Sequence, residues 1–288
     1  MARLLAVSDL HVRYPENREI AAGLAGEPGD WLIVAGDVAE RVDDTVGVLA
    51  DLAARFAQVI WVPGNHELWT RPKEGTDLRG EHRYRHLVDE CRRLGVLTPE
   101  DPFPVFGAED GTGVTVCPLF LLYDYSLLPA GTGTPAEGLA AAYRAGVVCT
   151  DEYLLHPDPY PTREAWCAAR VEYSRTRLDA VEGPTVLVNH WPLTRLPTEV
   201  LRHPEFVLWC GTTASADWHR RYRAAAVVYG HLHIPRVTYE DGVRFVEASL
   251  GYPREWKPRQ DRFGVPAEVL PRQVLPVPAT DFGVRRAG

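Results

Sequence analysis

Short, unbroken apolar runs alternate along the chain with stretches whose apolar residues recur every three or four positions. The runs "RLLAV", "WLIVA" and "QVIWV" each lead into a polar cluster, and runs this short and continuous suit strands buried on both faces. Between the second and third, "DDTVGVLADLAARF" has helical spacing. Asp43 and Asp44 sit near its start, where acidic groups complement the helix dipole. This β-α-β alternation predicts a layered α/β fold. Further on, "EHRYRHLVDECRRL" and the stretch from Arg163 to Leu178 read as helices, and "GVTVCPLF", "TVLVN", "AAAVVYG" and "VRFVEAS" as strands. Residues 123–161 are rich in Gly, Pro and Tyr and are expected to form an irregular insertion. The pattern therefore predicts one domain over 1–256 and an extended, unpatterned tail over 257–288.

The polar clusters follow the apolar runs in order: Asp9 with His11, Asp37, Asn65 with His66, His190, and His231 with His233. In α/β sheets the groups that bind ligands collect at the carboxyl ends of strands. In "YGHLHIP", residues two apart in an extended chain point the same way, and Gly230 lets other backbone come close. Five of the ten histidines stand at strand ends. The others, His82, His86, His156, His203 and His219, fall in helical or loop contexts and are expected on the solvated surface. Carboxylate, amide and imidazole donors without thiolate suit two divalent ions, with Mn2+ or Fe2+ favoured and Zn2+ also compatible. A carboxylate such as Asp37 can bridge both. Two such ions ~3.5–4 Å apart clamp a phosphoryl group and lower the pKa of a shared water.

Bulk properties narrow the field. The 288 residues carry a net charge of −8, which disfavours binding to extended nucleic acid. Lysine occurs only at Lys73 and Lys257, so nearly all positive charge is arginine. Five widely spaced cysteines form no C-x-x-C, against a disulfide framework or a structural zinc site. No apolar stretch is long enough for a membrane span, and "MARLLAVSDLHV" is too short for a signal segment. A cytoplasmic protein with no membrane partner is expected. Two other motifs fall away. "GTGTPAEG" has no preceding strand and no following Lys-Ser/Thr, and no G-x-S-x-G elbow supports serine catalysis.

D-x-H, G-D, G-N-H-E, N-H and G-H-x-H, in that order, resemble the calcineurin-like metallophosphoesterase superfamily. The resemblance implies a two-sheet core flanked by helices, with a dinuclear site at the strand ends. Asp9, His11, Asp37 and His233 would hold one metal; Asp37, Asn65, His190 and His231 would hold the other. His66 would be the non-ligand histidine that assists the leaving oxygen. "EASLGYP" stands where many relatives have Asn-Pro-Gly-Ser, a departure at the pocket rim. From Arg3 to Trp256, "DWLIVAGDVAER", "VIWVPGNHELW", "PYPTREAW", "LWCGT" and "YGHLHIPR" resemble the actinobacterial 4′-phosphopantetheinyl hydrolases, and "PYPTREAW" and "LWCGT" carry no metal ligand. That narrower likeness implies an acyl carrier protein as substrate and partner. The motifs alone leave open a general phosphodiesterase or phosphatase acting on nucleotides. A non-catalytic module on this fold is disfavoured because every ligand type is present. Such carriers are acidic, so docking on this acidic chain needs local basic segments; Arg79, Arg83, Arg85, Arg92 and Arg93, or Arg220, Arg221 and Arg223, are the candidates.

Overall fold

The computed structural model describes residues 2–72, 78–107 and 113–281. Its strands are β1 (Leu4–Val7), β2 (Trp31–Val34), β3 (Gln58–Trp61), β4 (Val105–Phe106), β5 (Val114–Pro118), β6 (Thr185–Val188), β7 (Ala224–Tyr229), β8 (Arg236–Glu240), β9 (Val243–Glu247) and β10 (Arg272–Leu275). They form two sheets, in the orders β10-β1-β2-β3 and β4-β5-β6-β7-β9-β8. β1, β2 and β3 are mutually parallel, as are β5, β6, β7 and β9; β10, β4 and β8 are antiparallel edges.

Strand alternation divides the core into three layers. Leu4, Ala6, Ile33 and Ile60 face Val116, Val186, Val188, Ala226 and Val228 between the sheets. Leu5, Val7, Leu32, Val34 and Trp61 face outward and are covered by the helices Val42–Ala53 and Gly80–Arg93, through Leu49, Leu52, Tyr84 and Leu87. Cys117, Leu187, Val227 and Phe245 form the outer face of the second sheet, covered in part by Leu178 of the helix Arg163–Leu178 and by Trp218 and Tyr222. Both faces of the inner strands are mostly buried, which is why those strands read as continuous apolar runs.

Three expectations from sequence need correction. The region 257–288 is not an unpatterned tail: it carries short helical turns at Gln260–Phe263 and Pro266–Val269, then β10, which pairs with β1. Four residues are too few to show a period, and only pairing with the other end of the chain reveals them. Residues 282–288 of that region, like Lys73, lie outside the described residues. The region 123–161 contains the helices Pro135–Arg144 and Asp151–Leu154. The first begins inside "GTGTPAEG", where the Thr134 hydroxyl accepts the Glu137 N–H at 3.2 Å and Pro135 opens the first turn. Finally, His219 is not on the surface. It is 1% exposed, packed edge-on against Phe245, with Nε2 2.9 Å from Asp241.

Val274 of β10 is fully buried between the sheets, while Val277, just beyond the strand, is exposed. In urea denaturation Val274→Asp is therefore expected to lose roughly 3 kcal/mol or more, the cost of burying an unpartnered polar group. Val277→Asp should stay within ~0.5 kcal/mol of the parent. Equal, small effects of the two changes would restore the picture of a loose tail.

Candidate metal centre

All five polar clusters emerge at the carboxyl edges of β1, β2, β3, β6 and β7, where the two sheets meet. The sheets are joined there by Ser8, which pairs in parallel with Ser249: Ser8 N–H donates to the Ala248 carbonyl, and Leu250 N–H donates to the Ser8 carbonyl. The chain turns sharply at each strand end. Asp9, His11, Asp37, His231 and His233 all have positive φ, five of the eight non-glycine residues with left-handed backbone among the described residues. Each such conformation costs about 1–3 kcal/mol, and the surroundings must over-determine it.

Glu67 does much of that work. Its buried carboxylate accepts the N–H groups of Asp37 (2.9 Å), Val38 (2.8 Å) and Gly64 (3.0 Å), locking the G-D and G-N-H turns together. Asp37 Oδ1 in turn accepts the His66 N–H. Glycine is required where backbone meets ligand side chain. A Cβ on Gly64 would lie 2.1 Å from Asp37 Oδ1, and one on Gly230 would lie 2.0 Å from Ser8 Oγ and 2.3 Å from Asp9 Oδ2.

Ligand atoms of Asp9, His11, Asp37 and His233 lie within 4.8 Å of one another. Glu255 Oε2 lies 2.7 Å from His233 Nδ1, so His233 Nε2 faces Asp9 Oδ1 at 3.0 Å and His11 Nε2 at 3.1 Å. A second group adjoins it. His190 Nδ1 donates to the Ala35 carbonyl at 2.8 Å, and burial lowers the pKa of His190, so its Nε2 carries no proton. That bare nitrogen nevertheless faces Asn65 Oδ1 at 3.2 Å and Asp37 Oδ2 at 3.5 Å. Asn65 cannot turn its amide to relieve the clash, because Nδ2 donates to Asp151 Oδ1 at 2.9 Å. The ring of His231 lies 5.2 Å from that of His190, and its Nε2 is buried with no hydrogen-bond partner. The lone pairs of His190 Nε2 and Asn65 Oδ1 converge here with no proton between them. Cations are what such a donor set fits.

Burial, with Glu67 and Asp9 close by, pushes the Asp37 carboxyl well above the usual range. Burial and neighbouring imidazoles hold His11, His66 and His231 well below theirs, leaving neutral donors. Burial opposes the charges on Asp9 and His233, but their mutual attraction wins, lowering the first pKa and raising the second.

The structure thus brings all seven expected ligands to one edge, with His66 beside them. His66 packs on Trp69 at 3.6 Å between ring centroids, its Nδ1 is 3.6 Å from Glu40, and its Nε2 is 3.3 Å from the Tyr252 hydroxyl. Glu40, Glu67, Asp151, Tyr252 and Glu255 escaped the sequence reading. Glu67 was visible inside G-N-H-E and Tyr252 inside "EASLGYP"; nothing local marks the other three. A cleft of about 560 Å3 opens at His66, walled by Tyr14, Trp69, Leu154 and Tyr252, with Arg13, Arg71 and Arg254 also lining it.

The family model for calcineurin-like phosphoesterases matches residues 2–235. The acyl-carrier-protein phosphodiesterase PptH of Mycobacterium tuberculosis is 56% identical over 289 residues, covering 97% of this chain and 87% of that protein. The crystal structure of the phosphopantetheinyl hydrolase PptH from the same organism superposes with a TM-score of 0.90 at 54% identity, covering 96% of this chain and 97% of that one.

Gly230→Ala is expected to force Asp9 and Ser8 apart, so that the purified protein binds fewer metal ions than the parent while keeping its far-UV circular dichroism. Gly47→Ala, in the helix Val42–Ala53 with nothing within 4 Å of the added methyl, should leave metal content unchanged and raise stability by up to ~1 kcal/mol. Full metal content in Gly230→Ala would show that the close approach is dispensable.

Proposed function

The chain belongs to the calcineurin-like phosphoesterase family, and on that footing we propose that it is a metal-dependent phosphodiesterase that releases 4′-phosphopantetheine from acyl carrier proteins. The observation that carries the reading is the convergence of carboxylate, amide and imidazole donors beside a further histidine at a cleft. Asp9, His11, Asp37 and His233 would hold one divalent ion, and Asp37, Asn65, His190 and His231 would hold the other. When bound, the ions supply charge to the phosphoryl oxygens and a more acidic water.

The protein's own groups do the rest. His66 stands outside both ligand sets, fixed by Trp69 and by its backbone bond to Asp37, and it assists the departing serine oxygen through its ring N–H. Tyr14, Trp69, Leu154 and Tyr252 offer the slender pantetheine arm an apolar wall. The 56% identity to a protein named for acyl carrier protein supports the carrier as substrate.

The basic segments expected to dock the carrier are neutralised locally. Arg79 pairs with Asp158, Arg85 with Glu81 and Glu100, Arg92 with Asp101, and Arg93 with Glu90. Arg83 is buried and donates to the Glu67 and Glu40 carbonyls. Arg220 pairs with Asp241 and Arg221 with Asp179, while Arg223 donates to the Gly183 and Val181 carbonyls. Docking on an acidic carrier shifts instead to the cleft, where Arg254 is exposed and Arg13 and Arg71 share the single carboxylate of Glu40, leaving positive charge in excess. Arg254 lies over the Tyr252 ring at 5.0 Å.

Two experiments test the reading. His66→Asn should keep its metal ions yet lose roughly 10²–10⁴-fold in turnover on holo carrier protein, whose alkoxide leaving group needs a proton. The loss should shrink on a nitrophenyl diester; equal losses would place His66 on the phosphate instead. Separately, Arg13→Glu/Arg254→Glu should raise KM for holo carrier protein at low salt, an effect that fades above ~0.15 M as the Debye length falls below about 8 Å. An unchanged KM at low salt would remove these arginines from docking.

A further inference from the structure

Asp151 lies in the region expected to be irregular, carries no motif signal and is fully buried. One of its oxygens, Oδ1, accepts two hydrogen bonds: from Asn65 Nδ2 at 2.9 Å and from Trp69 Nε1 at 2.7 Å. The first aims the Asn65 oxygen at His190 and Asp37. The second sets the indole on which His66 is stacked. A single carboxylate oxygen therefore orients both a ligand of the centre and the platform of the histidine beside it.

The short helix that carries Asp151 is itself held from outside the site. Arg163 donates to the Leu155 and Asp151 carbonyls at 2.9 and 2.7 Å and reaches Glu152, and Trp209 Nε1 donates to Glu152 at 2.7 Å. Arg163 belongs to "PYPTREAW" and Trp209 to "LWCGT", the two stretches that carry no ligand. Thr70 N–H donates to the Leu154 carbonyl, zipping the helix to the chain just beyond the G-N-H-E turn. Thr150 and Leu154 line the cleft. The same turn of chain thus faces the substrate on one side and the metal centre on the other.

We propose that Asp151 is a positioning residue that sets Asn65 for the second metal ion, and that residues 150–155 tie the cleft wall to that ion. The inference rests on the two-ion reading above. Without an acceptor at this point, the Asn65 amide either buries an unpaired N–H or turns its N–H toward the ion. Loss of an outer partner of this kind weakens metal binding roughly 10–100-fold.

The test is titration of the metal-stripped full chain with Mn2+, followed by calorimetry. The parent should bind two ions. Asp151→Leu should bind the ion at Asp9, His11, Asp37 and His233 as the parent does and the other roughly 10–100-fold more weakly. Asp151→Asn keeps an acceptor oxygen and should restore most of that loss. Should Asp151→Leu fail to fold, Asp151→Ser repeats the comparison with a side chain too short to reach Asn65. Two intact sites in Asp151→Leu or Asp151→Ser, or an Asp151→Asn variant as weak as either, would overturn the role of Asp151 alone. A parent chain that binds a single ion would overturn the two-ion reading and this inference with it.

Discussion

Crowding of acceptor atoms at the strand ends is the constraint on which the structure turns. The His190 Nε2 and Asn65 Oδ1 lone pairs are driven to 3.2 Å with no proton to share, and carboxylates and further imidazoles press in around them. Nothing in the cluster favours that gathering by itself. It is imposed by the frame: two sheets meeting at Ser8 and Ser249, strand ends bent into left-handed backbone, and glycines where a methyl would collide. The apolar layers supply the stability against which this local strain is held.

Most of the centre was legible because its donors sit at strand ends, and strand ends are announced by the abrupt close of an apolar run. Asp9, His11, Asp37, Asn65, His190, His231 and His233 all have that local signature. Their supports do not. Asp151 meets Asn65 across 86 residues, and Glu255 meets His233 across 22, so no window of sequence contains either pair. Tyr252 and Glu67 were in view but lacked a role until the turns were folded. Charge is harder to read for a similar reason. Arginines clustered in sequence look like a patch, yet partners such as Glu100, Asp101 and Asp179 arrive from elsewhere in the chain.

The division of labour between centre and cleft follows from connectivity. Ligands come from both sheets and are fixed by the core. The cleft walls come from loops and short helices, including Thr150, Leu154 and the segment after β9 that carries Tyr252 and Arg254. Loops on a rigid scaffold can change without disturbing the layers beneath. Here Asp151 and Glu255 limit that freedom, because each lies in a wall segment and also holds a residue of the centre.

β10 adds a condition in time. β1, which leads directly into Asp9 and His11, has β2 on one side and residues 272–275 on the other. During synthesis every donor, from Asp9 to His233, leaves the ribosome before the strand that closes the first sheet. The nascent chain therefore carries an open edge beside its most strained turns, in the state most exposed to mispairing with other strands. Closure from the far end makes completion of the sheet wait until residues 272–275 have been made.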